Sequence, residues 1–293
     1  LHGKSIYFYL AITSSYFNAM KRIILLATVF FILSAFKPKT ITWVAIGDSI
    51  TYLNDHLDET GNRVTKGYLT RVTEKLPHIQ YVNQGHNGWT AVRIAKEIEN
   101  LKLVKADVYT IFLGTNDWWA GLKLGWIKDY QNDTGNGTVY GAFRTITKKI
   151  KQLNSNAKII LITPMQRTDF VYIGDAHNHA WGSYRDKNGQ ALAQFAEAVI
   201  TIGRLENFEV IDLYHETSLS LERLVKYKHL KDPHGEGYKN FEYPAYTNVP
   251  FHPDQDEYPY PVGSGNMTYD GLHPSDKGNQ VIANLLIKHL KRL

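Results

Sequence analysis

Five short runs of apolar and β-branched residues punctuate the chain: residues 42–46 (TWVAI), 79–82 (IQYV), 108–113 (VYTIFL), 158–163 (KIILIT) and 209–213 (EVIDL). Runs of this length with few polar positions predict strands covered on both faces. The stretches between them repeat at helical spacing. Tyr68, Leu69, Val72 and Leu76 make one apolar face, and Ala91, Val92, Ile94, Ala95, Ile98 and Leu101 a second. Phe143, Ile146, Ile150 and Leu153 make a third, and Ala191, Ala193, Phe195, Ala196, Val199, Ile200 and Ile202 a fourth. A last helix is predicted from Val281, Ile282, Leu285, Leu286 and Leu290, introduced by Pro274-Ser275-Asp276, where Ser275 or Asp276 serves as N-cap. Alternating strands and helices imply right-handed crossovers and a parallel sheet covered on both sides. Such sheets collect ligands at the carboxyl ends of their strands. Two connections, 165–190 and 214–269, are too long for ordinary loops. Both leave from that edge, so they are expected to wall a cleft rather than to form separate domains. No internal repeat is visible.

The longest apolar run, 23–35, follows Met20, Lys21 and Arg22. A short basic start, an apolar stretch of this length and a small residue at its end predict a secretory signal peptide beginning at Met20. The run is shorter than the roughly 20 residues of a membrane-spanning helix. Residues 1–35 are therefore expected to stand outside the fold and 36–293 to form a single domain, with no membrane span after signal removal. Leu1 to Ala19 has no matching role. Without 1–35 the chain holds 30 basic and 28 acidic residues, so its apparent basicity is partly a targeting feature. No basic block with interleaved aromatics remains, and nucleic acid is not an expected partner. The absence of cysteine excludes a disulfide framework, a thiolate metal site and a cysteine nucleophile. Average charge and adequate apolar content argue against disorder.

Four short motifs fall where the sheet would bring them to one edge. Gly47-Asp48-Ser49-Ile50 follows the first strand and places a serine in a tight turn. Asn83 to Thr90 (NQGHNGWT) follows the second, with two glycines that can bring a backbone N–H to the site. Gly114-Thr115-Asn116-Asp117 follows the third and offers an amide donor in Asn116. Asp270-Gly271-Leu272-His273-Pro274 precedes the last helix. An acid and a histidine three residues apart can face each other across one turn, the acid fixing the imidazole tautomer. Each motif alone also reads as an ordinary turn. Their conjunction, in order and at one edge, reads as nucleophilic catalysis.

These residues resemble the GDSL/SGNH hydrolase family of serine esterases and lipases. GDSI stands for the family's GDSL, Asn83 and Gly88 match its Asn-x-x-x-x-Gly pattern, GTND its Gly-x-Asn-Asp block and DGLHP its Asp-x-x-His block. The resemblance implies a three-layer α/β/α flavodoxin-like fold with a parallel, roughly five-stranded sheet. It also implies Ser49 as nucleophile, His273 as general base and then acid, and Asp270 as its orienting partner. The oxyanion hole it implies comprises the Ser49 and Gly88 N–H groups and the Asn116 side chain. It requires no metal or organic cofactor.

Asp48, Asp117 and Trp118 stand beside the motifs as candidates to support the turn or contact the substrate, and either Trp118 or Trp119 suits stacking on a sugar ring at a cleft edge. His177 and His179 read as a loop feature before a metal pair. The leading expectation is a secreted or periplasmic serine esterase that removes short acyl groups, acetyl first, from a small-molecule or glycan ester. A lysophospholipase or short-chain lipase is the alternative within the chemistry. A non-catalytic carbohydrate-binding protein on an esterase fold is the alternative outside it. A nucleotide or flavin binder ranks last, because the first loop lacks a Gly-rich phosphate cradle. The acyl group, the alcohol and the oligomeric state are not legible in the sequence.

Overall fold

The computed structural model describes residues 20–21 and 39–293. The predicted signal peptide therefore lies, apart from Met20 and Lys21, outside the described residues. The chain divides into two units, Leu1–Thr40 and Ile41–Leu293, and the second carries the fold.

In chain order the elements are β1 (Ile41–Gly47), α1 (Ser49–Tyr52), α2 (Tyr68–Lys75), β2 (Ile79–Gly85), α3 (Ala91–Lys96), β3 (Val108–Phe112), α4 (Thr115–Trp119), α5 (Ile127–Gln131) and α6 (Val139–Leu153). They continue with β4 (Lys158–Ile162), β5 (Phe170–Tyr172), β6 (Asp175–Ala180), α7 (Leu192–Glu206), β7 (Glu209–Ile211), α8 (Leu221–Leu224), β8 (Lys228–Lys231), β9 (Tyr238–Phe241) and α9 (Asp276–Leu290). The central sheet has strand order β2-β1-β3-β4-β7, all parallel. Its strands are the five apolar runs of the sequence.

Period-two alternation divides each central strand between two cores. Trp43 and Ala45 of β1, Val108 and Phe112 of β3, and Ile160 and Ile162 of β4 pack with Leu69 and Val72 of α2 and Ile282, Leu286 and Leu290 of α9. Val44, Ile46, Tyr109, Ile111, Ile159 and Leu161 turn the other way, onto α3, α6 and α7. The result is the three-layer α/β/α arrangement that the resemblance implies. Burial on both faces explains why the runs are nearly continuous in apolar residues.

Helix ends follow local chemistry. Ser275 is the cap of α9, accepting from the Lys277 and Gly278 N–H groups, while Asp276 binds Arg71 at 2.6 Å and ties α9 to α2. The face from Ala91 to Leu101 is helical only to Lys96. Glu97 leaves helical geometry (φ −93°, ψ 7°), and the following turns still bury Ile98. The first turn of α3 is capped from a distance. Asp117, wholly buried, accepts from the Ala91 and Val92 N–H groups at 2.8 and 3.2 Å.

The two long connections contain hairpins with no strong pattern in the sequence, β5–β6 and β8–β9, both antiparallel. They share a small core that includes Val171, Leu230, Tyr246 and Tyr260. An ion pair between buried Lys228 and half-buried Asp169 crosses from one connection to the other.

Two predictions follow from this scaffold. A Cβ on Gly85, at the end of β2, would overlap the Tyr52 backbone nitrogen and the Thr51 carbonyl carbon. Gly85→Ala must push α1 outward, so it is expected to cost about 1–3 kcal/mol in denaturant unfolding; a neutral substitution contradicts the packing. Burial raises the Asp117 carboxyl from its ordinary range to about 6, against the pull of the Ala91 and Val92 N–H groups. A raised carboxyl binds its proton more tightly in the folded chain. That contribution is complete below about pH 4 and lost as pH rises through about 6. Between those limits the stability of Asp117→Asn relative to wild type should improve by on the order of 2 kcal/mol. Urea midpoints measured on both sides of the window read the change, and a constant difference contradicts it.

Candidate active site

In a doubly wound sheet of this order the crevice lies between the carboxyl ends of β1 and β3, where crossovers leave in opposite directions. Ser49 opens α1 directly after β1, and Asn116 lies in α4 directly after β3. Asp48 caps α1: its Oδ1 accepts from the Ile50 N–H at 3.0 Å, which fixes the turn holding Ser49. Asn83 supports the same turn from the neighbouring strand, donating to the Thr51 carbonyl at 3.1 Å and to Asp55 at 2.9 Å.

His273 comes from the turn before α9, 224 positions later in sequence. Its Nε2 lies 2.9 Å from Ser49 Oγ, and its Nδ1 lies 2.6 Å from Asp270 Oδ2. The other Asp270 oxygen accepts from the Leu272 and His273 N–H groups at 3.0 and 2.7 Å. Asp270 is fully buried, whereas Ser49 and His273 keep a small exposed fraction. Phe170 meets the imidazole edge-on at 5.3 Å and Tyr269 stacks at 6.0 Å, so the ring is held on both sides. Such a chain can draw the proton from a serine hydroxyl and stabilise the imidazolium that results.

A cavity of about 220 Å³ opens over this chain. Gly88 and Asn116 line it together with Ser49 and His273. Gly88 sits at φ +73°, a left-handed conformation that favours glycine. Asn116 Nδ2 donates to the Trp89 carbonyl at 3.0 Å, which orients the amide and leaves its second hydrogen available. The sequence-predicted set Ser49, Asp270, His273, Gly88 and Asn116 is thus gathered at one place.

The neighbouring candidates lie behind that surface. Asp48 and Asp117 are buried and serve as caps, and burial lifts each carboxyl to about 6, with the His273 charge opposing the rise at Asp48. Trp118 turns into the core and donates its Nε1–H to the Gln190 carbonyl at 2.9 Å. Trp119, the next residue, lines the cavity instead. His177 and His179 stand elsewhere, His177 3.5 Å from Asp254 and His179 edge-on to Phe251.

The sequence did not single out Arg167, Phe170, Asn178 and Ala180, which the first long connection brings to the cavity. Arg167 is fully buried and stacked among Trp118, Trp119 and Phe170, at 5.6, 5.7 and 6.0 Å from the ring centres. Burial lowers its guanidinium to about 10, while the charges of Asp169 and Asp270 hold it up, so it remains cationic at neutral pH. Position after the fourth strand was its only signal.

The chain is similar to several known proteins. A crystal structure of a possible lipase from Chitinophaga pinensis is 63% identical and superposes with a TM-score of 0.85, covering 86% of this chain and 98% of its own. A protein from Lactobacillus plantarum (18% identity, TM-score 0.56, 87% and 99% covered) shares the fold. So does a catalytic mutant of an acetylxylan esterase from Geobacillus stearothermophilus (19%, 0.51, 86% and 94%). No functionally curated protein matches the chain. Residues 45–281 match the GDSL-like Lipase/Acylhydrolase family, so the chain belongs to that family and is a carboxylic ester hydrolase.

Proposed function

We propose that the protein is an exported serine esterase that removes short acyl groups, acetyl foremost, from carbohydrate esters. The observation that carries the chemistry is the continuous hydrogen-bonded chain Ser49–His273–Asp270 at the floor of a cavity. Ser49 Oγ attacks the ester carbonyl as its proton passes to His273 Nε2, and an O–C bond forms. The tetrahedral oxyanion is met by the Ser49 and Gly88 N–H groups and by Asn116, donors that cost no reorganisation when charge develops. The bond to the alcohol then breaks, and His273 returns the proton to the departing oxygen. Water attacks the acyl-enzyme, gives its proton to His273, and releases the acid as Ser49 regains its hydrogen. Asp270 accepts from Nδ1–H and holds the imidazole in that tautomer.

The small volume and mixed polar lining suit a short acyl chain, and Trp119 at the cavity wall suits a sugar face. Export rests on the sequence pattern of 20–35. Among the described residues no helix is long and apolar enough to cross a membrane.

The test is hydrolysis of p-nitrophenyl acetate and octanoate by the full chain. Acetate is expected to be the better substrate, and octanoate preference would favour a lipase. Ser49→Ala should lose roughly 10⁴-fold or more of the turnover while unfolding at the wild-type midpoint. Asn116→Ala should lose roughly 100- to 1,000-fold in kcat with less change in KM. Wild-type turnover in Ser49→Ala contradicts the assignment.

A further inference from the structure

The guanidinium of Arg167 packs among aromatic rings but leaves hydrogen-bond donors unspent. Its Nε and Nη2 are buried and make no hydrogen bond. Three carboxylates lie close enough to be felt electrostatically, yet each is committed elsewhere. Asp169 takes Lys228, the Tyr184 hydroxyl and the Gly182 N–H. Asp270 takes His273 and two backbone N–H groups, and Asp48 takes the Ile50 N–H. Leaving buried cationic donors without an acceptor is costly, and such groups in native proteins call for a specific cause.

The position of Arg167 supplies one. Its backbone is pinned by Ser183, whose N–H and hydroxyl both donate to the Arg167 carbonyl. Its side chain lines the cavity that holds Ser49. The surrounding rings fix the fork by cation–π contact without using its donors. Phe170 bridges from Arg167 to the His273 ring, so the guanidinium stands on the side of the base, where the alcohol departs. A second cation, Lys187, lies over Trp119 and Trp181 at 4.2 and 4.5 Å. A planar fork of unused donors is the group best matched to an oxyanion.

We infer that Arg167 is a specificity residue, and that the ester hydrolysed here carries an oxyanion, a carboxylate or a phosphate, on its alcohol half. A uronic acid acylated on a ring hydroxyl has this chemistry, and so does an acylated glycerol phosphate. This inference rests on the ester-hydrolase reading of Ser49.

Two matched pairs test it: a monoacetylated methyl galactoside with its 6-carboxylate counterpart, and acetylglycerol with its 3-phosphate. In wild type, kcat/KM should favour the anionic member of one pair by tenfold or more, and that pair identifies the anion. The preference should shrink with added salt, vanish in Arg167→Leu and persist in part in Arg167→Lys. If the leucine variant fails to fold, the lysine variant and the salt series decide. Equal rates within both wild-type pairs, or a preference that survives Arg167→Leu, overturn the inference. So does hydrolysis of neither pair alongside active turnover of p-nitrophenyl acetate. Failure on p-nitrophenyl acetate as well would instead strike the esterase reading itself.

Discussion

One buried carboxylate organises the site. Asp270 has no exposure, and its oxygens are met by two backbone N–H groups and by the His273 ring. A carboxylate in such surroundings is tolerable only when its lone pairs are filled, which forces the turn 270–273 into one shape. That shape aims Nε2 of His273 outward, and α9 anchors the turn by packing Ile282, Leu286 and Leu290 against the sheet. Ser49 arrives from the opposite end of the sequence, at the end of β1. The distance of 2.9 Å between Ser49 Oγ and His273 Nε2 therefore reports how well the whole α/β/α scaffold closes.

Around that contact the fold divides its labour. The parallel sheet and its caps hold the groups assigned to the chemistry: Asp48 shapes the turn at Ser49, while Asp117 fixes the start of α3 next to the loop bearing Gly88. The first long connection supplies Arg167, Phe170, Asn178 and Ala180 to the cavity, with Phe170 edge-on to His273. The second connection braces the first through Lys228 on Asp169 and through a shared apolar core. The cavity is thus built from two parts of the chain, the turns after the central strands and the first long connection, which meet where Phe170 packs on His273.

The sequence was most legible where one local rule governs. The inner strands β1, β3 and β4 are readable because burial on both faces demands continuous apolar runs, whereas the half-buried edge strands β2 and β7 show through their β-branched and apolar residues; all observed limits differ from the pattern by three residues at most. The site residues are readable because short turns after strands carry their chemistry in adjacent positions. Legibility fails where distant contacts decide. The β5 strand has three residues, and β6 (DAHNHA) is mostly exposed, so neither shows a burial pattern without its neighbours. Adjacent tryptophans could not be told apart either. Trp118 faces the core because Gln190, 72 positions on, accepts its N–H, and that leaves Trp119 for the cavity. Arg167 was hidden for the same reason, since only the folded chain reveals a buried cation whose donors are unused.

The most direct measurement is covalent labelling by a fluorophosphonate, followed by intact mass and peptide mapping of the full chain. An activated serine beside a histidine base predicts one adduct per chain, located on Ser49, with labelling strongly slowed in His273→Ala. An unlabelled wild-type protein, an adduct on another residue, or equal labelling without His273 would contradict the account.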